Sequence, residues 1–120
     1  MSYDISLLDP VSRKVIEIKE PHFMRGGTYQ LGGCRELWLN ITYNYGQIYR
    51  RGDVFGEKGI RTIYGMAGLE SIPLLANAIA ALKDDCSNDY WEPTEGNAKK
   101  ALVQLLTMAQ MRPDGIWDGD

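Results

Sequence analysis

Thr94-Glu95-Gly96-Asn97-Ala98-Lys99-Lys100-Ala101-Leu102-Val103-Gln104-Leu105-Leu106-Thr107-Met108-Ala109-Gln110-Met111 is the stretch that decides the fold class. Its apolar residues Ala98, Ala101, Leu102, Leu105, Leu106 and Ala109 recur at three and four, the spacing of one face of a helix. Thr94 precedes the run with a hydroxyl able to accept the free first-turn amides, and Glu95 suits the positive end of the helix dipole. Met111-Arg112-Pro113 stops it, so the spacing predicts a helix over 95–111.

Working outward, Ile72, Leu75, Ala78, Ile79 and Leu82 form a second stripe behind Ser71 as cap, with Pro73 tolerated in a first turn. This predicts a helix over about 72–84. Asp84, Asp85, Ser87, Asn88 and Asp89 follow as a polar loop, and carboxylates after a helix C-terminus oppose its dipole and hint at a cation or basic partner.

Residues 36–50 obey two periods at once. Leu39, Ile41, Tyr43 and Tyr45 alternate as in a strand, while Trp38, Ile41, Tyr45, Ile48 and Tyr49 keep helical spacing. The length of the helical pattern favours a helix near 37–50. The segment 51–70 is rich in glycine, with room for one or two helical turns at Ile60-Arg61-Thr62-Ile63-Tyr64.

At the N-terminus, alternation predicts strands at about 2–8 and 14–19 joined through Asp9-Pro10-Val11-Ser12, with Pro21 ending the second. Gly26-Gly27-Thr28-Tyr29-Gln30-Leu31-Gly32-Gly33 reads as a short strand near Thr28 between two sharp bends, or as a backbone nest for a phosphate; the Walker A ending and the GxGxxG spacing are absent. The closing 114–120 is turn-rich and acidic, and reads as a solvated terminus, not a calcium loop. Together these elements predict one α+β domain over 1–120, a small antiparallel sheet made of the hairpin and the short strand and packed against about three helices.

The chain has 120 residues, a mean hydropathy of -0.30 and 44% hydrophobic residues, enough for a packed core in one domain. Thirteen basic against sixteen acidic side chains leave a net charge of -3, which argues against general nucleic-acid binding. The apolar runs are too short to span a bilayer, and the first residues lack a signal pattern, so the expectation is a soluble, cytoplasmic protein. Cys34 and Cys86 lack CxxC spacing and predict separate reduced thiols; no metal or cofactor is called for.

His22 is the only histidine and no Gly-x-Ser-x-Gly elbow exists, which disfavours a nucleophilic triad. The unusual feature is local. Eight of the twelve aromatics and ten of the thirteen glycines lie between residues 22 and 68, with five arginines among them. Tyrosine, arginine and adaptable glycine loops make recognition surfaces, although any single aromatic, such as Trp38 or Tyr45, is as readily core.

The strings Leu39-Asn40-Ile41-Thr42-Tyr43-Asn44-Tyr45, Gly59-Ile60-Arg61-Thr62-Ile63-Tyr64-Gly65, Thr94-Glu95-Gly96-Asn97-Ala98 and Met111-Arg112-Pro113-Asp114-Gly115 resemble small uncharacterised proteins carried by phages and by bacteria, over most of the chain. The resemblance implies a phage or bacterial source and carries no catalytic residue with it. Accessory or anti-defence proteins of this size often sequester a small signalling molecule or block a host protein.

The sequence therefore favours a binding protein over an enzyme. The partners it admits are a small anionic or nucleotide-like ligand, a host protein, or a second copy of the chain. Candidate ligand-binding residues are Arg61 and Tyr64, set between Gly59, Gly65 and Gly68; Tyr29, between the glycine pairs, for stacking; and Asn40 with Asn44, one helical turn apart, for reading polar edges. A competing reading makes Arg61 the ion-pair partner of Glu36 or Glu95. The enzymatic alternative is carboxylate chemistry at Asp4, Glu36 or Glu95 on a nucleotide or similar anionic metabolite, or transfer on a nicotinamide dinucleotide at His22 near Gly27-Thr28-Tyr29.

Overall fold

The computed structural model describes residues 1–22 and 34–120. The strand predicted near Thr28, the glycine-pair nest and Tyr29 lie outside the described residues. Strands β1 (Ser2–Leu8), β2 (Glu17–His22), β3 (Cys34–Glu36) and β4 (Trp38–Thr42) come first, then a 3₁₀ turn at Tyr43–Tyr45 and the single-turn helix α1 (Gly46–Tyr49). A second 3₁₀ segment at Gly59–Ile63 leads to helices α2 (Gly68–Ala81) and α3 (Glu95–Met111), and β5 (Ile116–Gly119) closes the chain. The class is α+β, with an antiparallel sheet in the order β4-β1-β5 and a separate pair β2-β3.

The alternation in β1 decides which face is buried. Tyr3, Ile5 and Leu7 point into the core with Leu39 and Ile41 of β4 and Trp117 of β5. Against them pack Leu75 and Ala78 of α2 and Ala98, Ala101, Leu102, Leu105, Met108 and Ala109 of α3, so the two predicted helical stripes are the other half of the core. α3 has the predicted limits, and the Thr94 hydroxyl accepts the Asn97 N–H at 3.1 Å as its cap. The 3₁₀ segment also falls where helical turns were expected.

Four expectations are corrected. Residues 38–42 form a strand, not the start of a helix over 37–50: pairing with β1 in the register Asp4↔Asn40 satisfies their backbone, and the helical spacing came from Tyr45, Ile48 and Tyr49, which belong to the turns beyond it. The N-terminal hairpin closes only at its turn, by an isolated bridge between Leu8 and Val15, because β1 is already flanked by β4 and β5; β2 diverges to pair with β3 and runs through Pro21 to His22.

α2 begins at Gly68, with the Glu70 carboxylate accepting the Ala67 N–H at 3.0 Å. Ser71 therefore lies inside the helix, fully buried, where its hydroxyl accepts from Trp117 Nε1 at 2.7 Å and donates to the Gly68 carbonyl at 2.7 Å. The C-terminal stretch is not a solvated tail: β5 pairs with β1 on one side, and on the other bonds residues 65–68 through Trp117 and Gly115. Cys34 is buried, Cys86 is exposed, and neither is in a disulfide. No helix among the described residues is long and apolar enough to cross a membrane.

Candidate functional site

The structure sends the predicted site residues to three places. Arg61 lies at the corner where β1, β4 and β5 meet. Its guanidinium stands over the Tyr3 ring, 5.0 Å from the centroid, and 5.6 Å from that of Tyr43. Its Nε donates to the main-chain oxygen of Asp120 at 2.9 Å and its Nη2 to the Tyr43 hydroxyl at 3.3 Å. Tyr43 donates in turn to the Asp120 carboxylate at 3.1 Å, whose other oxygen accepts the Asp4 N–H at 3.2 Å.

Tyr64 joins the same corner. The hydroxyl end of its ring lies against Gly119, so closely that a Cβ there would overlap it, and its hydroxyl is buried with no hydrogen-bond partner. Arg61 and Tyr64 thus lie at one corner, and Arg61 bonds to Asp120, not to Glu36 or Glu95, the carboxylates that the competing reading named. Glu95 pairs instead with Arg51 at 3.1 Å.

Asn40 and Asn44 are not one helical turn apart, because a strand and a 3₁₀ turn separate them. Asn40 is buried on β4 and donates across the sheet to Ser2 Oγ at 2.7 Å and Asp4 Oδ1 at 2.8 Å. Asn44 donates to the Trp91 carbonyl at 2.9 Å. His22 donates from Nε2 to the Glu36 carbonyl, holding β2 to β3. Among the described residues no group of three or more His, Cys, Asp or Glu is placed to share a metal ion.

The Asn44 bond leads to a site that the sequence reading missed. The loop 83–94, between α2 and α3, is pinned from both sides. From the β4 end, the Thr42 N–H donates to the Tyr90 hydroxyl at 2.9 Å, Tyr45 donates its hydroxyl to the Tyr90 carbonyl, and Asn44 holds Trp91. From α3, buried Asn97 accepts the Ser87 N–H at 3.1 Å and donates to the carbonyls of Asp89 and Glu92, each at 3.0 Å. Gly96 lets the loop close down on the helix: a Cβ there would come within 2.8 Å of the Cys86 main chain and thiol.

Between this stiffened loop and α3 lies a recess of about 290 Å³ lined by Tyr45, Ser87, Asn88, Tyr90, Asn97, Lys100, Ala101 and Gln104. The α3 members stand at i, i+3, i+4 and i+7, a polar stripe beside the apolar one that makes the core. The rings of Tyr45 and Tyr90 meet edge to face at 5.7 Å. Burial raises the pKa of both hydroxyls above the usual tyrosine value; for Tyr45 the charge of Asp89 adds to this, and for Tyr90 the Thr42 N–H offsets part of it.

Hydrogen-bonding capacity in this recess is unspent. Gln104 Oε1 is buried and has no donor. The neighbouring Lys99 is committed to Asp84 at 2.7 Å. Lys100 is exposed at the recess. The signal that could have located the site is the stripe Asn97, Lys100, Gln104 behind a capped helix start; the contribution of Tyr90 is set by tertiary contacts alone. No family model, no curated protein and no solved structure matches the chain.

Proposed function

We propose that the protein binds a small molecule in the recess between loop 83–94 and α3, and acts by sequestering it. The observation that carries this reading is Gln104 Oε1: a buried acceptor without a donor costs about 1–3 kcal/mol, and a ligand N–H at that place recovers it. The terminal torsion of glutamine is broad, so the amide can turn toward a ligand without leaving a rotamer well. Lys100 supplies a cation at the same place, and half-buried Tyr90, backed by fully buried Tyr45, supplies an aromatic wall.

The pinned loop supports the reading too. Three groups from the β4 end and Asn97 from α3 fix the wall before any ligand arrives, which lowers the ordering cost of binding. Mass spectrometry of the purified full chain, native and then denatured, tests the reading. A small molecule carried by the native protein and released on denaturation is the expected result, lost in Asn88→Trp, which fills the recess from an exposed position. A protein retained in place of any small molecule overturns it in favour of a blocking role.

A further inference from the structure

The chemistry of the recess restricts what can occupy it. Its lining contains one cation, Lys100, and no carboxylate, and its other polar groups are the neutral Ser87, Asn88, Asn97 and Gln104. Asn97 is consumed by the loop and Ser87 Oγ accepts the Asp89 N–H at 3.1 Å, which leaves Gln104 and Asn88, with the Ser87 hydroxyl proton, to read a ligand. The surroundings are acidic. Asp84, Asp85, Asp89 and Glu92 lie on the loop that forms one wall; Lys99 holds Asp84, Arg51 holds Glu95 at the start of α3, and Lys83 is the loop's own cation, which leaves Asp85, Asp89 and Glu92 without an ion-pair partner among the described residues.

A ligand with several negative charges would meet one lysine in the lining, beside a loop whose Asp85, Asp89 and Glu92 have no ion-pair partner among the described residues. The volume, about 290 Å³, is at the small end of the range of roughly 300–1,000 Å³ typical of small-molecule sites. Against this, a planar ring bearing an N–H donor satisfies the Gln104 oxygen and packs on the Tyr90 wall, and one negative charge suits Lys100.

Resting on the reading that the recess is the ligand site, we infer that it takes a neutral or singly charged nitrogen heterocycle of the nucleobase, nucleoside or nucleoside monophosphate class, and rejects polyphosphates. The base edge presents its N–H to Gln104, the ring lies against Tyr90, and a sugar-borne phosphate reaches Lys100 at the rim. The discrimination comes from charge, not from a shortage of space alone: each added phosphate gains no new cation in the lining and adds charge beside a loop that carries Asp85 and Asp89.

Calorimetric titration of the full chain with the four common ribonucleosides, their 5′-monophosphates and their 5′-triphosphates tests this. At least one nucleoside binds, its monophosphate binds as well or better, and its triphosphate binds no more tightly than the monophosphate. Gln104→Leu, which keeps the volume and removes the acceptor, weakens nucleoside and monophosphate about tenfold or more. Lys100→Gln leaves the nucleoside within about twofold and weakens the monophosphate about threefold.

A triphosphate that binds tightest, and is lost in Lys100→Gln, overturns the inference and leaves the recess as the site. So does a co-purifying molecule of another class that Asn88→Trp abolishes. Nucleoside binding unaffected by both Gln104→Leu and Asn88→Trp removes the ligand from the recess and takes the proposed site with it. The absence of both nucleoside binding and any retained molecule does the same.

Discussion

At the Arg61 corner the guanidinium, Tyr43 and Asp120 are hydrogen-bonded to one another, with Tyr3 stacked beneath and the Tyr64 hydroxyl enclosed without a partner; at the α3 recess a lysine, a glutamine and an asparagine share a wall with two tyrosines, and the glutamine oxygen faces no donor among the described residues. The two regions use the same kinds of side chain. In the corner, Arg61 stacks on Tyr3 and Tyr43 and donates to Asp120, and the result is a strand end held against the sheet. In the recess, Asn97 does the holding, and that frees Gln104 and Lys100. Residue types that look made for recognition identify a site only where their hydrogen bonds are not already spent inside the protein.

The strongest way to break the comparison is to remove what the corner holds. Trp117 of β5 is almost fully buried, and its indole N–H reaches Ser71 in α2, so the strand ties the sheet to the helix layer. Trp117→Ala is expected to cost about 3–5 kcal/mol in denaturant unfolding, by lost burial and the cavity left behind. A cost under about 1 kcal/mol would mean that β5 is an appendage and the corner holds nothing of consequence.

Next in size is the pin of the recess. Asn97→Ala leaves the Ser87 N–H and the carbonyls of Asp89 and Glu92 without their partner, and is expected to cost about 2–3 kcal/mol. The loss has a local signature: faster hydrogen exchange over 87–92 while the α3 amides beyond Ala101 keep their protection. Uniform exchange across the chain would show that the loop is not a separately held wall.

These two elements also show how far the sequence could be read. α3 was legible to the residue because one face is wholly apolar and Thr94 caps it. β4 was not: Leu39, Ile41, Tyr43 and Tyr45 do alternate, but the helical spacing of Trp38, Ile41, Tyr45, Ile48 and Tyr49 runs through the same residues and is longer, and only the pairing with β1 decides between the two periods. β5 was not, because four residues containing an aspartate and a glycine have no strand preference of their own and are extended only through β1 and residues 65–68, far away in the chain. Arg61 and Tyr64 do share one corner, but the glycine that lets Tyr64 approach is the distant Gly119, not the neighbours in sequence. What a sequence cannot display is which of their hydrogen bonds are internal.

Arg61→Ala sharpens the comparison with a smaller effect. Arg61 is exposed, and its stacking and hydrogen bonds are screened, so the expected cost is about 1 kcal/mol, seen as a modest drop in melting temperature, with ligand retention in the recess unchanged. Lost ligand at an unchanged melting temperature would transfer the binding site to the corner and reverse the contrast between the two regions.

The smallest effect at neutral pH, and the one that separates the regions by titration, belongs to Tyr64. Burial raises its pKa above the usual tyrosine value, helped by the charge of Asp120 and opposed by Arg61. Between pH 10 and that raised value the unfolded chain has released a proton that the folded chain keeps, so stability falls as pH rises through this window. Because the Tyr64 hydroxyl has no hydrogen-bond partner, Tyr64→Phe is expected to stay within about 1 kcal/mol of the parent at pH 7 and to lose less stability above pH 10. Tyr90 is raised by burial as well, but its hydroxyl accepts the Thr42 N–H, so Tyr90→Phe costs stability already at pH 7 and alters ligand retention, which Tyr64→Phe leaves intact. Denaturant unfolding of the two variants at pH 7 and pH 10.5, read with tyrosinate absorbance, checks this. Identical profiles would mean that the corner and the recess do not differ in the way their hydrogen bonds imply.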